Sequence, residues 1–375
     1  MRHRRQKILA VFGTRPEAIK LAPLIRELQA DPAHFLVRVC VTGQHRRMLD
    51  QVLDTFGILP HYDLRVMQNG QDLFQLVRRC LDRLRPVLEQ ERPDWVVVQG
   101  DTTTAFAAAL AAFYLKVRVG HVEAGLRTGN DSFPFPEEMN RRLISPLADL
   151  HFAPTVRAQE NLLREAICPQ DIHVTGNTGI DALFYALEQP VLPLTAFAGL
   201  ERLSGQRPLV LVTSHRRESF GGPFRNICLA LRRIARRGEV DLIYPVHLNP
   251  NVREPVRRLL GHLPNVFLIA PLAYVPFVAV MQQAHIILTD SGGVQEEAPS
   301  LGKPVLVLRE MTERLEGVEA GTAKLVGTNP EPIVAETVRL LQDRQEYARM
   351  SQVHNPYGDG EASRRIARIL AAQAQ

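Results

Sequence analysis

Cysteine is scarce in this sequence. Its 375 residues hold four, Cys40, Cys80, Cys168 and Cys228, far apart and with no CxxC among them. That spacing excludes a disulfide framework and a CxxC redox motif. Each cysteine lies beside or within an apolar segment, so all four are expected to be reduced core thiols. Lysine is scarce too, five residues against forty arginines. The bias assigns no function, but it singles out Lys20, beside the first glycine-containing loop, and Lys303, expected near the ligand edge of the second half. No apolar run reaches the ~18 residues of a membrane-spanning helix. The basic start, MRHRRQK, runs into a strand pattern without a long apolar stretch or a small-residue cleavage site. The expectation is a cytoplasmic protein without a membrane partner. The formal charge is only +5, with much of the excess in those first seven residues. This reads as a basic tag and not as a nucleic-acid surface. Repeats, low-complexity tracts and heptads are also missing.

What is present suffices for two ordinary cores: 375 residues, 45% hydrophobic and 23% charged. Apolar, β-branched runs at 8–12, 36–42, 95–99, 117–122 and 149–153 alternate with helix-like stretches at 17–30, 71–90 and 102–115. That is the βαβ rhythm of a parallel sheet. The rhythm pauses at 188–207, where prolines and glycines break both periods, and strand-like runs return at 209–213, 241–246, 266–269, 286–289 and 304–308. The reading is an α/β protein of two doubly wound, Rossmann-like domains, 1–180 and 181–360. Residues 361–375, with apolar residues at helical spacing, form a terminal amphipathic helix expected to return toward the N-terminal domain.

The loop after the first strand lacks the GxGxxG of dinucleotide-binding folds and carries Gly13, Arg15, Glu17 and Lys20 instead. That counts against NAD or FAD. Pro16 suits a first helical turn, which would put Arg15 and Lys20 near amides that attract an anion. In VVVQGDTTT, Asp101 follows a strand and has the form of an N-cap. The stretch HVEAGLRTGNDSFPFPEEMNRR sets Glu123, Glu137 and Glu138 among Arg127, Arg141 and Arg142. Asp101, Glu123 and Glu137 all fall at or after strand ends, so one cleft is expected to gather them, and their mutual repulsion to raise at least one pKa. A metal is the rival reason for such a gathering, but HExxH and other tight ligand spacings are missing. Further on, His215, Arg216 and Arg217 follow a buried-type strand and suit a phosphate or a developing anion. In IILTDSGGVQEEAPSLGKP, Ser291, Gly292 and Gly293 open a helix, where the backbone can approach a pyrophosphate. Glu297, one turn on, is placed to accept hydrogen bonds from ribose hydroxyls.

Taken in order, GTRPEAIK, VTGQHRRML, QGDTTT, HVEAGLRTGN, PEEMNRR, VTGNTGID, HRRES, YPVHLNPNV and DSGGVQEEAPSLGKP resemble the non-hydrolysing UDP-N-acetylglucosamine 2-epimerases over nearly the whole chain. The resemblance implies a GT-B-like fold with an interdomain cleft, no cofactor and no metal. It implies reversible conversion of UDP-GlcNAc to UDP-ManNAc through elimination of UDP and its re-addition, serving cell-surface polysaccharide precursors. By resemblance, Asp101, Glu123 and Glu137 are acid/base candidates, and His215 supports the leaving diphosphate with Arg15, Lys20 and Arg141. Ser291, Gly292 and Gly293 hold phosphates, Glu297 the ribose, Leu272 and Phe277 the uracil, and Arg314 is a further ligand residue. Where the family usually reads TERPEG this chain reads TERLEG, with Leu315 in place of proline. Arg46 and Arg47 fall in a segment that in some bacterial relatives helps to bind a second, activating UDP-GlcNAc; a homodimer is also expected. The rival readings are a GT-B glycosyltransferase with a UDP-sugar donor, an epimerase of a modified UDP-sugar, a hydrolysing epimerase and a non-catalytic UDP-sugar sensor.

Overall fold

The run QKILAVF is the first strand of the structure, a computed structural model that describes residues 5–43, 46–68, 70–130 and 134–373. It is apolar and buried almost throughout, as a central parallel strand covered on both faces must be. The chain divides into two units. The first holds the residues up to Tyr185 together with those from Tyr357 onward, and the second holds Ala186–Pro356.

In the first unit β1 (Gln6–Phe12), α1 (Arg15–Ala30), β2 (Phe35–Val41), α2 (Arg46–Phe56), β3 (Tyr62–Asp63), α3 (Leu73–Glu91) and β4 (Trp95–Gln99) follow in turn. Then come α4 (Thr103–Tyr114), β5 (Arg118–Val122), α5 (Glu137–Ile144), β6 (Leu150–Ala153), α6 (Val156–Arg164), β7 (Ile172–Val174) and α7 (Thr178–Leu187). The sheet is parallel, in the order β3-β2-β1-β4-β5-β6-β7. Leu9, Val11, Val96, Val98 and Val119 of the strands share a core with Leu76, Cys80, Leu84 and Leu88 of α3. Helix α4 joins it through Ala105, Ala108 and Ala112, whose small side chains let its backbone lie close to its neighbours.

The second unit repeats the plan. Its elements are β8 (Leu209–Thr213), α8 (Gly222–Arg236), β9 (Asp241–Pro245), α9 (Pro250–Leu260), β10 (Val266–Ile269), α10 (Tyr274–Gln283) and β11 (Ile286–Thr289). They continue through α11 (Gly292–Glu297), β12 (Val305–Val307), α12 (Leu315–Glu319), β13 (Ala323–Leu325), α13 (Pro330–Gln342) and α14 (Arg344–Ser351). The parallel order is β10-β9-β8-β11-β12-β13. Its core joins Val210, Val212, Leu242, Ile286 and Leu288 to Phe224, Ile227 and Leu231 of α8. The last helix, α15 (Ala362–Ala372), docks on the first unit. Gln6 Nε2 donates to the Leu370 carbonyl at 2.8 Å, and Asp181 accepts from the Ser363 amide at 2.7 Å.

Both units are therefore doubly wound α/β domains, as the alternating pattern suggested. The short strands β3, β7 and β13 span two or three residues, too few to show a period. Two expectations need correction. Cys168 is exposed, because it lies in the turn entering Pro169 between α6 and β7. Lys303 stands at the amino end of the second sheet and not at its ligand edge. A single turn at Ala298–Leu301 and Gly302, with φ of 63°, bring the chain back to the start of β12. No helix among the described residues is long and apolar enough to cross a membrane.

Candidate active site

In each sheet the direction of winding reverses beside the first strand, between β1 and β4 and between β8 and β11. Open α/β sheets take ligands outside the carboxyl ends of the strands at such a switch point. Five of the sequence-derived candidates leave strands at such ends: Arg15 after β1, Asp101 after β4, Glu123 after β5, His215 after β8 and Ser291 after β11.

At the first of these edges, Thr14 and Glu17 form a capping box that starts α1, with Pro16 in the first turn. Glu17 does more than cap. One of its oxygens accepts from the amides of Gly13 at 3.1 Å and Thr14 at 2.7 Å, and the other from the Thr102 hydroxyl at 2.6 Å. Thr102 is itself the N-cap of α4, accepting from Ala105 at 3.0 Å. One buried carboxylate thus ties two helix starts together, and burial pushes its pKa up. The cap of α4 falls to Thr102 and not to Asp101, which stands one residue earlier. Asp101 instead pairs with Arg141 of α5, while its carbonyl accepts from the Asn140 side chain at 2.9 Å.

Glu123 follows β5 with φ of 63°, a left-handed conformation costing ~1–2 kcal/mol for a residue with a Cβ. Two partners hold it there: Lys20 of α1 on one oxygen and the buried Gln99 amide on the other. Arg15 is half-buried at the first position of α1. Glu137 opens α5, half-buried and without an ion pair among the described residues, one turn ahead of Arg141. Arg141 Nη1 also lies 3.3 Å from buried Glu138, whose two oxygens each stand 3.2 Å from the Thr128 amide. Arg127 is occupied by Glu165 and Ser145. The carboxylates of Asp101 and Glu123 are each matched by a cation, so they do not face one another uncompensated.

At the second edge, Asp290 organises the turn after β8. One of its oxygens accepts from the Ser214 hydroxyl at 2.9 Å, the His215 amide at 2.7 Å and the Arg216 amide at 2.9 Å. The His215 ring stacks on His247, with centroids 5.3 Å apart and planes 9° from parallel. Burial, then the neighbouring His215, lower the pKa of His247. Ser291 caps nothing with its side chain, and Gly292 and Gly293 open α11. A Cβ on Gly292 would stand 3.1 Å from the Arg314 guanidinium carbon, whereas one on Gly293 would meet open space. Arg314 is buried between Glu296 at 2.8 Å and Glu313 at 2.7 Å. Burial pushes the Glu313 carboxyl up, but Arg314, Arg309 and Arg216 together more than offset it and hold it below the usual range. Buried Glu297 accepts from the Tyr274 hydroxyl at 3.3 Å. Leu272 precedes α10 and Phe277 lies in its first turn, both half-buried. Leu315, where proline is usual, starts α12 directly after Arg314.

Four residues that sequence reasoning left without a role belong to this framework: Gln99, Glu138, Asp290 and Glu313. Gln99 and Asp290 had a legible signal, a polar residue closing an apolar strand next to a glycine turn. Glu138 and Glu313 had none, since their partners are set by packing. The side chains of Arg46 and Arg47 lie outside the described residues. Among the described residues no three His, Cys, Asp or Glu side chains are grouped to hold a metal ion.

The family model for UDP-N-acetylglucosamine 2-epimerase matches residues 26–371. A UDP-N-acetylglucosamine 2-epimerase of Salmonella typhimurium (strain LT2) is 56% identical over 369 residues, covering 97% of this chain and 98% of that protein. The crystal structure of the UDP-GlcNAc 2-epimerase of Neisseria meningitidis bound to UDP-GlcNAc is 48% identical with a TM-score of 0.90, over 98% of this chain and 100% of that one. That of Methanocaldococcus jannaschii, in complex with UDP-GlcNAc and UDP, is 34% identical with a TM-score of 0.82, over 98% and 99%. Similarity of this depth runs through both doubly wound units and through every strand end described above; the chain belongs to the UDP-N-acetylglucosamine 2-epimerases, a family of isomerases.

Proposed function

We propose that this chain interconverts UDP-GlcNAc and UDP-ManNAc by inverting carbon 2 of the sugar. The observation that carries the reading is the strand-end cluster of the first unit. Asp101 is held by Arg141, Glu123 by Lys20 and Gln99, and Glu137 stands beside them without an ion pair among the described residues.

The hydrogen on carbon 2 has no adjacent carbonyl to acidify it, so a carboxylate alone cannot remove it. Cleavage of the bond between carbon 1 and the diphosphate oxygen comes first, and UDP leaves with the bonding pair. The oxocarbenium-like carbon 1 then acidifies carbon 2, whose proton passes to a carboxylate as a double bond forms between carbons 1 and 2. The product is 2-acetamidoglucal. Return of a proton to the opposite face of carbon 2 and of UDP to carbon 1 completes the inversion. Asp101, Glu123 and Glu137 are the groups that stabilise the cation and move the proton. His215 supports the departing diphosphate, and Arg15, Lys20 and Arg141 are the cations that the first unit offers to it. In the second unit Ser291, Gly292 and Gly293 take the phosphates, Glu297 the ribose, Leu272 and Phe277 the uracil, with Arg314 beneath the glycine turn. The protein acts in the cytoplasm as a homodimer, a second copy covering apolar surface such as exposed Phe113 and Tyr114 on α4. A second UDP-GlcNAc acting as an activator makes the rate sigmoidal in substrate.

The test is incubation with UDP-GlcNAc in deuterium oxide, followed by proton NMR. UDP-ManNAc carrying deuterium at carbon 2 is expected. Free ManNAc and UDP would replace the reading by hydrolysis, and an unchanged sugar would refute UDP-GlcNAc as the substrate.

A further inference from the structure

Asp290 is fully buried, and its two carboxylate oxygens are treated unequally. One is saturated by the three donors of the Ser214–Arg216 turn. The other is shut off from solvent and has no hydrogen-bond partner among the described residues. A buried carboxylate oxygen left unmatched is costly, so a partner within reach is to be expected. Nδ1 of His215 lies 3.7 Å away, just outside hydrogen-bond distance. The backbone of His215 is already fixed by the same carboxylate, which leaves a small side-chain rotation to close the gap. The other polar groups around the ring compete poorly. His247 stacks face to face on it and has its own Nδ1 engaged by the Asn249 amide at 3.1 Å. Arg216, next along the chain, turns to Glu313 at 3.8 Å.

We infer that Asp290 is a positioning residue for His215: its second oxygen takes the Nδ1 proton, so that Nε2 is the ring nitrogen presented to the reacting ligand. The inference rests on the reading that His215 meets the leaving diphosphate. It adds how the ring gains its donor there. With Nδ1–H held by a carboxylate, a proton gained at Nε2 yields an imidazolium whose second N–H points at the departing anion. Asp290 touches no substrate and acts only through the ring.

The Asp290→Asn variant tests this without emptying the space. The asparagine oxygen keeps the three donors of the turn, which leaves its NH2 facing Nδ1, so the neutral ring must move its proton to Nε2. The measurement is 15N-histidine NMR of the full-length protein, with the His215 signal identified by its loss in His215→Gln. The wild type should show the Nδ1–H tautomer when neutral. D290N should show the Nε2–H tautomer. In the epimerisation assay, D290N should lower kcat by about 10²-fold while KM moves far less. A wild-type His215 protonated on Nε2 when neutral, or a tautomer unchanged in D290N, would overturn the inference. The tautomer readout needs no substrate. Loss of the epimerase reading in the deuterium experiment would therefore be distinguishable from loss of this one.

Discussion

Arg141 stands between two acids with its own side chain 6% exposed and that of Glu138 1% exposed. Arg141→Gln leaves the buried Glu138 carboxyl with only the Thr128 amide among the described residues, and removes the partner that orients Asp101. Breaking a buried pair from one side costs about 3 kcal/mol. Urea denaturation should show that loss, and the proton NMR assay a fall in turnover of at least about 10²-fold. Wild-type turnover in this variant would take Asp101 out of the reaction. His121 offers a separate test through pH. It is fully buried behind the strand end, with Nε2 2.7 Å from the Gly100 carbonyl, and burial lowers its pKa from 6.5 to about 3. The folded protein therefore holds it neutral, while the unfolded chain takes up a proton below pH 6.5. Its contribution is complete above pH 6.5 and is lost as pH falls toward 3, on the order of 4 kcal/mol over the full range. His151, lowered to about 4 by burial, acts in the same direction. The urea midpoint should drop between pH 7 and pH 5, and His121→Gln should flatten that drop.

At the scale of elements, the turn from β1 into α1 allows no extra atom. A Cβ on Gly13 would stand 2.1 Å from Thr42 Oγ1 and 2.7 Å from Thr104 Oγ1, which are hydrogen-bonded to each other at 2.9 Å. Gly13→Ala should destabilise the protein by about 1–3 kcal/mol in urea denaturation, and adding Thr42→Ala should recover part of it. No recovery would mean that the strain lies in the backbone instead. The same turn shows what could be read in advance. The apolar run of β1, the Thr14–Glu17 capping box and Pro16 are local signals, and local physics is what a sequence displays. The long strands were legible for the same reason, and so was the placing of Asp101, Glu123, His215 and Ser291 at their ends. What was not legible is pairing. Lys20 meets Glu123 across 103 positions, and Asp101 meets Arg141 across 40. Those partnerships exist because β4 is laid beside β1 and β5 beside β4 in the sheet, and no spacing in the chain states that order.

At the scale of the molecule, the first unit is made of two stretches and the second of one. Removing residues 357–375 deletes α15, strips Gln6 of its bond to Leu370 and leaves half-buried Asp181 without the Ala362 and Ser363 amides. The truncated chain should lose cooperative folding of the first unit, seen as early cleavage in limited proteolysis, while the second unit stays resistant and still binds UDP. Protection of both units would show that α15 is dispensable. The interrupted design also sets an order of synthesis. A chain emerging from the ribosome can finish its second unit while the first still waits for α15, reversing the usual N-terminal-first sequence of domain folding. The half that carries Asp101, Glu123 and Glu137 is thus the last to be completed, and under the proposed function a message cut short should yield a protein that holds a nucleotide without turning it over.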